Sequence, residues 1–329
     1  KNRKKATLVI PRDLKEYTTK LSRGNVYKDM KARTNGEIYI GVVGPVRTGK
    51  STFIKRFMNL MVLPNIEDEN DRNRANDELP QSSSGKTIMT TEPKFVPNEA
   101  VSIKTEEGIE LNVRLIDCVG YMVEGATGHM EGEEERLVKT PWFDYEIPFT
   151  KAAAIGTKKV ITEHSTIGVV VTCDGSFGEI AAKQYEPAEE ETIKQLKALK
   201  KPFVVLLNTI HPYSESTKQL AAEKEEKYQT KVLPMNLEQM KKEDIYEIIK
   251  SVLMEFPISS IGFYVPRWTE MLKKDHPLKM ELLQMARDVI TEKTTMRDIY
   301  EEQEKEYEYI TGQKLESVAM DSGEVVITV

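Results

Sequence analysis

Cysteine is nearly missing from this 329-residue chain: only Cys118 and Cys173 occur, so no disulfide framework is available and a reducing compartment is expected. Both lie in or beside apolar runs, where a small buried thiol is the simplest reading. Histidine is scarce too. The four residues His129, His164, His211 and His276 form neither an i, i+4 pair nor a Cys/His cluster, which leaves a structural zinc site without support. No apolar run approaches the ~18 residues of a helical membrane span, and the N-terminus carries no secretory signal pattern. Solenoid-period repeats are absent. A basic excess is absent as well, and a net charge of -6 argues against nucleic acid as the main partner. The chain opens at Lys1 rather than Met and is expected to be a trimmed form.

What is present describes a packed α/β protein. Hydrophobic residues make up 39% and charged residues of both signs 30%, which supports a core under a polar surface. At ~100–200 residues per domain the length allows two units. Residues 1–24, opening with KNRKK, are expected to form a flexible basic arm, with a membrane or nucleic-acid patch as the alternative. NVYKDMKAR reads as a short helix and EIYIGVV as a buried strand. The polar stretch 64–86 lacks the apolar residues to order itself and is expected to be a functional or disordered loop. Residues 94–104 and 109–117 read as an antiparallel hairpin ending at Asp117.

Further on, STIGVVVTC and KPFVVLLN read as buried strands and TKVLPM as a short one. The helices expected between and after them are EPAEEETIKQLKALKK, 214–228 and the long NLEQMKKEDIYEIIKSVLMEF. Glu189, Glu190 and Glu191 are placed at a helix start, where they suit the dipole. Strands alternating with helices imply a mostly parallel sheet covered on both faces. A boundary is expected near 265–270. That divides the chain into an arm (1–24), a nucleotide domain (25–265) and the truncated start of a second α+β domain (266–329), ending in a hairpin that turns at Asp321-Ser322-Gly323.

The first buried strand runs into Gly44-Pro-Val-Arg-Thr-Gly-Lys-Ser, which fits G-x-x-x-x-G-K-[ST]. Glycines at 44 and 49 let the backbone curl so that amides face a phosphate, Lys50 bridges β and γ oxygens, and Ser51 supplies an oxygen to Mg²⁺. The helix that follows aims its positive end at the anion. The expected phosphate-binding set is Gly44, Val46, Arg47, Thr48, Gly49, Lys50, Ser51 and Thr52, with Arg47 pointing outward. Asp117 ends a neighbouring strand and opens Asp-x-x-Gly, so it is expected to hold the metal's water shell while Gly120 approaches the γ-phosphate. Thr90 or Thr91 is expected to close over Mg²⁺ while the other orients water. Ser51, Asp117 and Thr91 form the expected metal set, though the order of the two threonines stays open. Tyr121 replaces the glutamine that many GTPases use to orient water.

VVLLNTIHP stands where such a protein carries Asn-Lys-x-Asp. His211 at the Asp position offers one acceptor where a carboxylate offers two, so strong guanine selection is not expected and ATP is favoured by elimination. Asn208 can still brace the phosphate loop.

EIYIGVVGPVRTGKSTFIKRFM, the TIMTTEP loop, LIDCVGY and LNTIHP together resemble the stage IV sporulation protein A family, from about residue 25 to the end. The resemblance implies a P-loop NTPase of the translation-factor-like GTPase class that hydrolyses ATP with Mg²⁺ and assembles into a polymer. It carries over Lys50 as the phosphate-binding lysine, Asp117 as the metal-site aspartate, and Thr90 with Thr91 as the threonines that sense nucleotide. It also implies a mother-cell cytoplasmic protein at the outer forespore membrane, where it forms the basement layer of the spore coat. Its implied partners are itself, coat proteins and a small amphipathic-helix anchor. Members of the family continue into a C-terminal region tied to recruitment, so membrane contact is expected to be indirect or to reside there. A GTP switch that recruits partners and a scaffold with a relict pocket are the competing readings.

Overall fold

The structure, a computed structural model, describes residues 5–9, 26–80, 92–104, 110–126, 129–131, 134–178, 180–300 and 305–329. In chain order, β1 (Lys5–Val9) and α1 (Val26–Thr34) come first. β2 (Glu37–Val43), α2 (Lys50–Phe57), α3 (Glu69–Asp77), β3 (Lys94–Lys104) and β4 (Glu110–Asp117) follow. Two small hairpins, β5 (Met130–Glu131) with β6 (Glu134–Glu135) and β7 (Leu137–Thr140) with β8 (Phe143–Pro148), lead into α4 (Phe149–Lys159). Then come β9 (Ile167–Cys173), α5 (Ala182–Ala198), β10 (Phe203–Asn208), α6 (Glu215–Tyr228), β11 (Val232–Met235) and α7 (Lys242–Met254). The last elements are β12 (Ser260–Tyr264), α8 (Pro277–Glu292), β13 (Lys314–Ala319) and β14 (Glu324–Thr328).

Two compact units result, Thr34–Val252 and the described parts of Lys1–Arg33 with Leu253–Val329. The first holds a six-stranded sheet in the order β11-β10-β9-β2-β4-β3, in which β3 alone runs antiparallel to its neighbour. Every residue of β9 and β10 is buried, as strands covered on both faces require. Ile193 and Leu196 of α5 and Ala221 and Tyr228 of α6 pack with Val170, Val205 and Leu207 of those strands. All the parallel strands therefore end at one edge of the sheet, and the loops there can meet over a common ligand.

Three expectations about the helices of this unit need correction. The polar stretch 64–86 is ordered over α3: Asp68 caps it by accepting from Asp71 N at 2.9 Å, and Ala75 is buried on its inner face. The long helix expected over 236–256 is broken. A 3₁₀ turn, Leu237–Gln239, is capped by Asn236, and α7 starts afresh where Asp244 reaches back to the amide of Lys241 at 2.8 Å. The Glu189–Glu191 run sits two turns inside α5, because the helix begins at Ala182, with Gln184 accepting from Ala181 N.

The second unit contains a four-stranded sheet, β1-β12-β14-β13. Its first strand falls inside the expected basic arm: Lys5–Val9 pairs in parallel with Ser260–Tyr264, the short apolar patch after KNRKK supplying strand-forming residues. The rest of 1–24 lies outside the described residues. The last strand has neighbours within the chain, β12 on one side and β13 on the other. Met285 and Val289 of α8 pack with Ile261, Phe263, Val325 and Ile327 of this sheet. Arg33 ties α1 to the same unit, donating to the Pro257 carbonyl at 3.0 Å and lying over the Phe256 ring. The division after Val252 precedes the expected 265–270 boundary, since β12 belongs to the second sheet.

Candidate functional site

β2 stops at Val43 and the chain turns through Gly44-Pro-Val-Arg-Thr-Gly into α2. Gly44 (φ 126°) and Gly49 (φ 101°) take backbone conformations that a side chain resists. A Cβ on Gly44 would collide with the Val171 carbonyl, and one on Gly49 would lie 2.5 Å from Asn208 Nδ2. Arg47 is left-handed too (φ 61°), with its side chain exposed as the sequence suggests. Thr48 is buried, its hydroxyl donating to the Pro45 carbonyl at 3.0 Å. Thr52 lies in the first turn of α2, half-buried.

Lys50, at the start of α2, is buried with its ammonium donating to the carbonyls of Gly44 (3.4 Å) and Pro45. Burial lowers its pKa below the ordinary lysine range, while nearby Asp117 opposes the shift. Ser51 Oγ donates to Asp117 Oδ2 at 3.0 Å, joining the first turn of α2 to the end of β4. The other carboxylate oxygen, Oδ1, is buried without a hydrogen-bond partner among the described residues. Burial raises the Asp117 pKa, and Lys50 and the Ser51 hydroxyl pull it back. A hydroxyl beside a carboxylate with one uncommitted oxygen, at a helix N-terminus next to a lysine, is a donor set that fits magnesium and a phosphate.

Gly120 (φ 92°) packs directly on this site: a Cβ there would run into the Gly44 carbonyl and stand 2.7 Å from Lys50 Nζ. Beyond it the backbone is pinned. Val46 N donates to the Tyr121 carbonyl at 3.0 Å, and Pro45 and Tyr121 form a parallel bridge that continues the β2–β4 pairing. This corrects the expectation for Val46. Its amide is committed to Tyr121 and its side chain is buried with Val123, Ile180 and Tyr185, so it presents no N–H to a phosphate in this arrangement. The Tyr121 ring packs against the same cluster, and burial pushes its phenol up to about 12. Cys118 points its thiol at the Val42 carbonyl and is pushed up to about 11 by burial, an inert packing residue. Thr90 and Thr91 lie outside the described residues.

Two further loops meet the phosphate loop at Thr48 and Gly49. Asn208, at the end of β10, donates from Nδ2 to the Thr48 carbonyl at 3.0 Å and accepts at Oδ1 from Leu237 N at 3.2 Å. Thr209 is buried, with its hydroxyl accepting from His211 N at 3.1 Å. Ile210 N donates to Ser176 in the loop after β9, and the side chains of Ile210 and Tyr213 are exposed. Asn236 accepts from the amides of both Glu238 and Gln239. The sequence does not point to Leu237, whose surroundings read as helix; Asn236 as an N-cap three residues before Gln239 is the available signal.

Residues 21–257 match the family described as stage IV sporulation protein A, ATPase domain, and residues 258–329 match the middle domain of the same family. A stage IV sporulation protein A from Clostridioides difficile (strain 630) is 54% identical over 275 residues, 84% of this chain and 56% of that protein. Those from Bacillus anthracis and Bacillus subtilis (strain 168) are 47% and 46% identical over 305 residues, 92% of this chain and 62% of each relative. The chain thus spans about three fifths of the length of these curated relatives.

Proposed function

The chain belongs to the stage IV sporulation protein A family, and from that premise we propose that it binds and hydrolyses ATP with magnesium. We propose further that this cycle drives its self-assembly into the basement layer of the bacterial spore coat on the forespore surface. The observation that carries the chemistry is the meeting of Lys50, Ser51 and Asp117 at the N-terminus of α2, with Asp117 Oδ1 lacking a hydrogen-bond partner among the described residues. The strand order, with one antiparallel edge strand between the phosphate loop and Asp-x-x-Gly, supports the translation-factor-like GTPase class.

In this reading the amides of Gly49, Lys50 and Ser51 cradle the phosphates and the Lys50 ammonium lies against their outer oxygens. Ser51 and Asp117 would hold the metal, which when bound would neutralise charge that builds on the phosphoryl group, the electrostatic part of the catalysis. Gly120 offers its N–H to the γ-phosphate. Because the Tyr121 ring is packed against the apolar cluster that contains Val46 and Tyr185, water orientation falls to Thr90, Thr91 or a cation from a partner subunit.

Adenine is favoured over guanine because the groups that would read guanine are missing or engaged. His211 replaces a carboxylate, Thr209 is buried where a lysine stem would cover the base, and the amides of Leu237, Glu238 and Gln239 already have acceptors. The partners proposed are further copies of the chain, coat proteins and a small amphipathic-helix anchor. The proposed location is the mother-cell cytoplasm, peripheral at the outer forespore membrane. No described helix is long and apolar enough to cross a membrane.

The test is Lys50→Ala, assayed for binding of a fluorescent ATP analogue, with GTP as competitor, and for phosphate release as protein concentration rises. The parent is expected to prefer ATP and to turn over faster at high concentration, with the variant losing both binding and turnover. A variant as active as the parent would sink the assignment.

A further inference from the structure

Four of the exposed apolar side chains of the second unit gather on two adjoining elements. Trp268 (55% exposed) and Met271 (89%) stand three residues apart on the 3₁₀ turn Arg267–Met271, and Met280 (54%) and Leu283 (45%) stand three apart on α8. Their exposure does not come from a loose loop. Thr269 between the first two is buried, and its amide and hydroxyl both donate to the Pro266 carbonyl, at 2.9 and 2.7 Å. Lys279 on α8 donates to the carbonyls of Leu272 (3.0 Å) and Glu270 (3.4 Å), which ties turn and helix together. The turn is held rigid while its large side chains face water.

We propose that this surface is where a second copy of the chain docks. The proposal deepens, and rests on, the reading of the protein as self-assembling. Two observations select the occupant. Side chains of this size at these exposures leave roughly 400 Å² of apolar surface, about half of the ~800 Å² that one side of a standard protein interface covers, which matches the apolar share such interfaces carry. The surrounding charges are also of both signs: exposed Arg267, Lys273, Lys274 and Arg287 stand among exposed Glu270 and Asp275. Such a rim gives little attraction to an anionic bilayer or a polyanion, where one sign must dominate. It does suit a rotated copy of itself, in which each cation can meet an anion across a two-fold axis. Trp268 and Met271, an aromatic and a flexible thioether at the centre, have the character of residues that carry most of an interface's energy.

The experiment uses the full chain with Trp142→Phe, which leaves Trp268 as the one remaining tryptophan of the two. Sedimentation velocity and tryptophan emission are followed together from nanomolar to high micromolar protein, with nucleotide turnover measured on the same samples. The expected result is a blue shift of Trp268 that tracks association. Met271→Glu, at a position too exposed to support the fold, should raise the concentration of half-association by roughly tenfold or more. Met280→Glu should act in the same direction, and neither should alter binding of the fluorescent ATP analogue. The proposal is overturned by association that leaves Trp268 emission unchanged, or by Met271→Glu and Met280→Glu chains that associate like the parent. A chain that stays monomeric overturns it too, as does a shift complete in the monomer, meaning the same chain covers the patch, or one that appears only with phosphatidylglycerol vesicles. Association with these properties but without nucleotide turnover would remove the ATPase reading and leave this surface standing; turnover without the Trp268 shift would do the reverse.

Discussion

Asn208 and Thr48 lie 160 positions apart in the sequence and are joined by a 3.0 Å hydrogen bond from the Asn208 side-chain amide to the Thr48 carbonyl inside the phosphate loop. Asn208→Ala leaves that carbonyl and the Leu237 N–H buried without partners. The expected cost is about 1–3 kcal/mol. Urea unfolding should show a lower midpoint at unchanged slope, and nucleotide affinity should fall with it because the loop loses its brace. A midpoint equal to the parent's would contradict this.

Gly120→Ala places a methyl group against Lys50 Nζ and the Gly44 carbonyl on a backbone of positive φ. Nucleotide turnover should drop at least tenfold, with a stability loss of about 1–3 kcal/mol. Gly178→Ala provides the control, since its φ of 90° imposes comparable strain but no atom stands within 4 Å of the new Cβ. It should lose stability and keep turnover, so equal loss of turnover in both variants would mean that contact with Lys50 is not what matters.

Glu189 is fully buried on α5, pairs with Lys224 of α6 at 2.6 Å and accepts from the Thr172 hydroxyl of β9. Glu189→Ala strands a mostly buried ammonium, at an expected cost of about 3–5 kcal/mol. The double variant Glu189→Leu, Lys224→Met should recover most of that loss in chemical denaturation. Equal losses in single and double variants would show that the pair's charges are not the source of the effect.

Pro148 precedes α4 and cannot cap it, so Glu135 of the β6 strand does, accepting from both the amide and the hydroxyl of Thr150. Those two bonds hold the Glu135 pKa below the ordinary glutamate range. A lowered native pKa means the cap's contribution is complete above the unfolded-state value and disappears as pH falls through the native one. Glu135→Ala should cost about 0.5–1 kcal/mol at neutral pH, the low end for a cap because the group is partly exposed. Stability measured against pH should show parent and variant converging on the acid side; a constant gap down to low pH would rule out the ionised cap.

The parallel strands and the phosphate loop were legible because their signals are local. Seven consecutive buried positions in Ile167–Cys173 need only a run of apolar residues, and G-x-x-x-x-G-K-S encodes its own geometry. Elements whose identity depends on a distant partner were not legible. Nothing in EPAEEET distinguishes Glu189 from its neighbours until α6 brings Lys224 to it. Lys5–Val9 reads as an arm while Ser260–Tyr264 is out of view. For α3 the composition misled: nine residues that are almost all polar fold as a helix because Asp68 caps them and Ala75 alone needs burial. The commitment of Val46 to Tyr121 is a main-chain event, and side-chain patterns say nothing about main-chain partners.

That Val46–Tyr121 bond also gives the protein a built-in reporter. An amide locked to a carbonyl trades its hydrogen for deuterium only when the bond opens, so the Val46 signal times each separation of the Asp-x-x-Gly segment from the phosphate loop. Whether a triphosphate tightens or pries apart these two loops can then be read as a slower or faster loss of one proton resonance.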